Sequence, residues 1–293
     1  MIVAVVGLVA LTGAGVGTAL SVGGTTPPRA ASTTDVRGRS TPPTSSVPPA
    51  QSAVPAAGPT STTGTLAPAL PLAGRTIAID PGHNGKNGVH ASEINQPVPA
   101  GGFTKACDTT GTETDFGYTE SAYNLDVSLA LAADLRRLGA GVVLTRTTDD
   151  GWGPCIDQRA AIGNQAHADA AVSIHADGGP AAGRGFEVIQ PGLVPGYTAP
   201  IVGPSHQLAL ALRDSFTART SMPQANYIGS SGLDTRTDLG GLNLSKVPKV
   251  LIECGNMRNA TDAALLTDPG FRQSAAAALA SGIETYLTSG PPH

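Results

Sequence analysis

Five short runs of β-branched and small apolar residues recur after residue 75, each closed by turn-forming residues: 76–80, 142–146, 170–176, 185–190 and 250–255. Runs of this length with such endings read as strands. Between them the apolar period changes. Val127, Leu131, Leu135 and Leu138 form one helical stripe, with Leu125 and Leu129 beside it and Gly139 as the stop. Residues 156–166 form a short helix, and Leu208, Leu212 and Phe216 are in phase within 203–220. Asp268 caps a last helix with Pro269 at its first position, and Phe271, Ala275, Leu279, Ile283 and Leu287 follow at four-residue steps. Strands alternating with helices predict a single α/β domain. Its twisted, mainly parallel sheet has about six strands, with helices on both faces. The run at 185–190 alternates and is expected nearer a sheet edge. Residues 84–118 form a long loop of functional character, and 221–246 are mostly irregular.

The pattern differs before residue 73. Residues 1–22 are almost wholly apolar, long enough for a secretory signal or a membrane anchor. The basic residues that ordinarily precede such a stretch are missing, as they would be if translation starts upstream. In residues 23–71, ten prolines, sixteen Ser/Thr, eight alanines and five glycines make up 39 of 49 residues. Nothing there can build a core, so 23–72 is expected to be an extended linker and 73–290 the folded domain.

The net charge is −4, and the first 72 residues carry a surplus of two positive charges, leaving −6 on the folded part. That argues against a nucleic-acid partner. Aromatic residues make up only 4%, so the core must be built from small and aliphatic side chains. Of three cysteines, Cys107 and Cys155 lie in loop-like sequence and Cys254 in a strand. In a secreted, periplasmic or cell-wall protein the two loop cysteines are natural disulfide partners, and Cys254 a small buried apolar residue.

Two strands deliver a histidine at their carboxyl ends. Thr76–Asp80 runs through Pro81-Gly82 to His83, and Ala170–Ile174 runs to His175. Ligands of open α/β sheets sit beyond that edge. Glu120 opens a helix, where its charge also suits the helix dipole. Glu253 lies inside Val-Leu-Ile-Glu-Cys, an expensive place for a carboxylate without a partner or a metal. Two histidines and one carboxylate form a catalytic zinc set. Taken singly, each of these residues also has an ordinary structural reading, and their spacings match no compact zinc motif. His90 sits in the long loop within possible reach of substrate, whereas His167, His206 and His293 read as surface or terminal residues.

Four stretches in order, Ile79–Gly85, Glu120–Asn124, Val172–Asp177 and Pro248–Gly255, resemble the zinc-dependent N-acetylmuramoyl-L-alanine amidases of the type 3 family, the mycobacterial-type enzymes most of all. The resemblance spans about residues 74–288. It implies that His83, Glu120 and His175 bind one Zn2+ and that Glu253 is the catalytic carboxylate. The substrate would be peptidoglycan or its muropeptide fragments, cut between N-acetylmuramic acid and L-alanine by a monomeric enzyme. Arg159 fits the family's helix before the third strand, with a structural duty. One departure stands out: Asn256 follows Gly255 where the family usually has an aromatic residue. No long helical insertion follows His175, the element that covers the site in partner-activated members, so an open site is expected. The competing readings are a catalytically weak wall-binding or regulatory protein on the same fold, and a zinc peptidase cutting within the stem peptide.

Overall fold

The computed structural model describes residues 69–289. Residues 1–22, read above as a secretory signal or membrane anchor, and the expected linker up to residue 68 lie outside the described residues. The chain runs β1 (Thr76–Pro81), a 3-10 turn (Asn87–His90), α1 (Ala91–Ile94), the hairpin β2 (Pro97–Pro99) and β3 (Thr104–Ala106), α2 (Glu120–Arg137), β4 (Gly141–Leu144) and α3 (Ile156–Gln165). It continues through β5 (Ala170–Asp177), β6 (Glu187–Pro191), α4 (Val202–Arg219), β7 (Leu233–Arg236), α5 (Gly240–Asn243), β8 (Lys249–Asn256), α6 (Ala260–Thr267) and α7 (Pro269–Thr288).

Six strands form one sheet in the order β4-β1-β5-β8-β6-β7. The first four strands of that order are parallel to one another, β6 joins β8 antiparallel, and β7 joins β6 parallel. The mainly parallel α/β architecture is therefore as expected. Two details differ. The alternating run near 185–190 is one strand in from the edge, directly beside β8. Within 221–246, β7 and α5 are ordered elements. Their apolar content is too low for periodicity to signal them: Leu-Asp-Thr-Arg and Gly-Gly-Leu-Asn owe their shape to their neighbours.

The two sides of the sheet divide the labour. Ile77 and Ile79, Val172 and Ile174, and Val250, Ile252 and Cys254 face α2, α4 and α7. The helical stripes meet them there: Val127, Leu131 and Leu135, then Leu208, Leu212 and Phe216, then Phe271, Ala275, Leu279 and Ile283 are all core residues. Leu129, beside the first stripe, is instead exposed. The alternate residues of the same strands are small or polar except for Leu251: Ala78 and Asp80, Ala171, Ser173 and His175, Lys249 and Glu253. α3 crosses this second side, and its Gly163 would bring an added Cβ to 3.4 Å from Ala78 Cβ. Period-two alternation thus places every strand-borne reactive group opposite the hydrophobic layer.

The long loop after His83 is folded into the 3-10 turn, α1 and the hairpin, and a disulfide between Cys107 and Cys155 pins its far end to the start of α3. Cys254 is free and buried. Forty-eight residues separate the bridged cysteines, and closing a loop of that size stabilises a fold by about 4 kcal/mol on the chain-entropy account. Replacing both cysteines with serine should lower unfolding stability by about that amount, read from denaturant titrations. A change below about 1 kcal/mol would show that the bridge constrains neither state.

Candidate metal and catalytic centre

β1 ends at Pro81, and the next two residues make the approach to the site. Gly82 leaves the space that the His175 ring fills: a Cβ there would lie 2.1 Å from a ring carbon. His83 follows with φ of 55°, a left-handed backbone that costs a non-glycine residue about 1–3 kcal/mol. Surrounding bonds hold it there. Arg159 Nη2 donates to its carbonyl at 2.9 Å, while its ring Nδ1 lies 3.0 Å from Thr109 O and 3.2 Å from Asp108 Oδ1. With Nδ1 turned to these acceptors, Nε2 points into the site, 3.2 Å from Glu120 Oε1.

Glu120 enters on the first turn of α2, behind Thr119, whose hydroxyl caps Ala122 N. Its Oε2 accepts from Thr112 N at 2.9 Å, and its Oε1 lies 2.8 Å from His175 Nδ1. His175 comes from the carboxyl end of β5, and its ring meets that of His83 edge-on with centroids 4.9 Å apart. Each of His83, Glu120 and His175 offers one donor atom within 4.8 Å of the other two. Gly111 lets the loop close over them, since an added Cβ would meet His83 Cδ2 at 2.8 Å and Glu120 Oε2 at 2.9 Å. This group can hold a divalent metal ion. Among the other histidines, His90 stacks on Trp152 and pairs with Glu93, and His206 bonds Gln190, outside this group.

Glu253 stands beside the triad. Its backbone is in register with His175 on one side and with Glu187 on the other. Its Oε2 is buried with no hydrogen-bond partner. Burial, reinforced by the charges of Glu120, Asp177 and Glu187, pushes this carboxyl well above the ordinary range. The neighbouring groups behave differently. Burial disfavours the His83 cation, but the Glu120 and Asp108 carboxylates outweigh it and push His83 up to about 10. Burial opposes the Glu120 charge too, yet His83 and the bond from His175 hold that carboxyl well below the usual range.

Two groups in this layer escape sequence reading. Asp108 accepts from His83 on one oxygen and from Arg159 on the other, at 3.2 and 3.0 Å. Only its place beside Cys107 hinted at it. Glu187 is buried on β6 facing Glu253, with Oε2 unpartnered. An edge strand would have left it in solvent, and the in-register neighbour removes that option. Asn256, the departure from the family pattern, donates to Pro180 O and Gly183 O at 2.9 and 2.8 Å and so clasps the loop after β5.

Residues 77–285 match the N-acetylmuramoyl-L-alanine amidase family model of the type 3 class. The chain belongs to this family. It is 44% identical over 224 residues to an N-acetylmuramoyl-L-alanine amidase of Mycobacterium tuberculosis, covering 74% of this chain and 88% of that protein. The crystal structure of the N-acetylmuramyl-L-alanine amidase Ami1 from Mycobacterium smegmatis superposes with a TM-score of 0.71 at 45% identity, over 75% of this chain and 99% of that one. The apo form of Ami1 from Mycobacterium abscessus gives 0.69 at 46% identity, over 74% and 100%. The chain is an amide hydrolase of peptidoglycan, with a cell-wall role.

Burial, with Asp234 and Asp177 nearby, pushes Glu187 up to about 7, whereas a free glutamate titrates near about 4.3. Between these values the folded state holds a proton that the unfolded chain has lost, so this group erodes stability as pH rises through that window. Glu187→Gln should therefore gain thermal stability relative to the parent at pH 8 compared with pH 5, by calorimetry in one metal state. An equal offset at both pH values would show an unperturbed carboxyl.

Proposed function

We propose that the chain is an exported, zinc-dependent N-acetylmuramoyl-L-alanine amidase. In this reading His83, Glu120 and His175 hold one zinc ion, and Glu253 is the proton-transfer residue. The observation that carries it is the convergence of two imidazoles and a carboxylate from β1, α2 and β5, with the orphaned Glu253 carboxyl on the adjacent strand. The donor set suits zinc rather than magnesium or calcium, which prefer oxygen ligands. Asp108 on the far nitrogen of His83 is the outer carboxylate that orients a ligating imidazole.

When bound, zinc supplies Lewis-acid polarisation of the scissile carbonyl and acidifies a water molecule. The chain's own groups do the rest. Asp108, Thr109 O and Arg159 fix the His83 ring and backbone, and Thr112 N and His175 orient Glu120. Glu253 accepts the proton of the attacking water as its oxygen bonds to the lactyl carbonyl carbon. It then delivers that proton to the alanyl nitrogen as the C–N bond breaks. A carboxyl raised by burial suits both halves of that transfer near neutral pH. The cleft over the triad has a volume of about 360 Å³, with Ile189, Leu239 and Leu251 as apolar walls. Residues 178–186 join β5 to β6 without a helix, so no helical insertion follows His175 among the described residues. Residues 1–22 would direct export and 23–72 would tether the domain at the wall; a monomer suffices, since one chain supplies every group.

Glu253→Gln should keep one zinc per chain while turnover of muramoyl peptides falls by about 10²–10⁴-fold. Metal analysis beside chromatography of a muropeptide digest checks both, and near-parental turnover would remove Glu253 from the proton-transfer role. His175→Ala should lose stoichiometric zinc and activity together. Mass spectra of the parent's products should show intact peptides with an L-alanine amino terminus; cuts within the stem would mean a peptidase.

A further inference from the structure

The chain has one tryptophan, and the fold leaves it at the surface. Trp152 is 41% exposed in a protein whose aromatic residues make up only 4% of the sequence. A packed indole buries about 150–250 Å², so leaving this one in water forgoes much of what it could add to folding. The His90 imidazole stacks on it, with ring centroids 5.8 Å and planes 28° apart. Val89, the neighbour of His90 in the chain, is 78% exposed. His90 Nδ1 lies 3.2 Å from Glu93 Oε1, and Ser92 Oγ donates to Glu93 Oε2. Together these side chains make an aromatic plate, backed by a second ring and edged by a carboxylate.

The plate is fastened to the loop that leaves His83. Lys86 N donates to Gly151 O at 2.8 Å, Asn84 Nδ2 to Gly153 O at 3.0 Å, and Gly153 N to Asn87 Oδ1 at 2.9 Å. Both neighbours of Trp152 are therefore held to the segment between His83 and His90. Arg159 Nη2 donates to His83 O and to Gly153 O, at 2.9 and 3.0 Å, so a single nitrogen spans the metal-binding residue and the residue after Trp152. Neither Trp152 nor His90 lines the cleft over the triad. The indole thus has a fixed place outside that cleft and relative to it.

A pyranose matches these groups. Its C–H face packs on the π face of an indole, and its hydroxyl and acetamido groups donate to a carboxylate at the edge. A nucleic-acid base would stack as well, but the negative surplus on the folded part repels phosphates. Resting on the amidase reading above, we propose that Trp152 and His90 form a carbohydrate-stacking plate outside the cleft. It holds the glycan strand of peptidoglycan while one muramoyl residue of that strand lies over the metal centre. The ligands are the N-acetylated sugars flanking that residue, and the plate makes the enzyme favour glycan polymer over single-sugar fragments.

As the sole tryptophan, Trp152 reports its own occupancy. Titrating the zinc-loaded chain with chitotetraose, a soluble run of N-acetylglucosamine, should give a saturable change in tryptophan emission. The second readout is the ratio of kcat/KM on soluble uncross-linked peptidoglycan strands to kcat/KM on N-acetylmuramoyl-L-alanyl-D-isoglutamine, which has one sugar. Trp152→Ala should lower that ratio by about five- to tenfold, mainly through KM on the strands, and Trp152→Phe should restore most of it. His90→Ala should weaken the chitotetraose response and lower the ratio too, and it decides the matter if Trp152→Ala does not fold. An unresponsive emission in the parent overturns the stacking contact, whatever the ratio does. A saturable response with a ratio unchanged in the variants overturns the plate's hold on the strand being cut. If the zinc-loaded parent cleaves neither substrate yet its emission responds, the amidase reading falls and the sugar contact stands.

Discussion

The guanidinium of Arg159 is the contact on which the rest of this centre depends. It is buried, and it donates to Asp80 and Asp108 and to the carbonyls of Pro81, His83, Gly153 and Pro154. One planar cation thereby ties the end of β1, the loop bearing Asp108 and the turn before α3 into a single body. A buried ion pair adds little net stability, because removing charges from water costs about as much as their attraction returns. What this one supplies is position. The left-handed backbone of His83 and the orientation of its ring both rest on groups that Arg159 holds.

The sheet explains how so many charges can be buried at all. Its apolar residues face α2, α4 and α7, where they form a continuous aliphatic core. The opposite side carries Asp80, Lys249, Ser173, His175 and Glu253, each linked to a neighbour on another strand or to the cleft. The hydrophobic layer supplies the folding free energy, so the polar side is free to carry groups whose placement is unfavourable in isolation. Glu253 and Glu187, opposed in register, are the extreme case: two carboxyls on adjacent strands, each pushed above the ordinary range by burial and by the other acids nearby.

Much of this was legible in the chain itself. Strands ending in histidine announce themselves by an apolar run broken by Gly or a polar residue, and a glutamate inside Val-Leu-Ile-Glu-Cys is conspicuous because it violates the pattern. The helices α2, α4 and α7 are long enough for a four-residue repeat to stand out. What was hidden is what depends on partners. β7 has one apolar residue in four and exists because β6 offers an edge. α6 is short and is set by the Asn259 cap. Asp108 and Glu187 gain meaning only from groups 25 and 66 residues away, His83 and Glu253. Local sequence carries period and punctuation, but not which strand becomes whose neighbour.

The two glycines that press on the triad set a limit on divergence. At Gly82 and Gly111 bare backbone lies against His83, Glu120 and His175, with no space for even a methyl group. Drift at those two places is closed off, whereas an exposed position such as Phe103, at the turn of the hairpin, carries no such constraint. Chains built on this plan can thus acquire new tastes in peptide while the ring of donors stays unaltered.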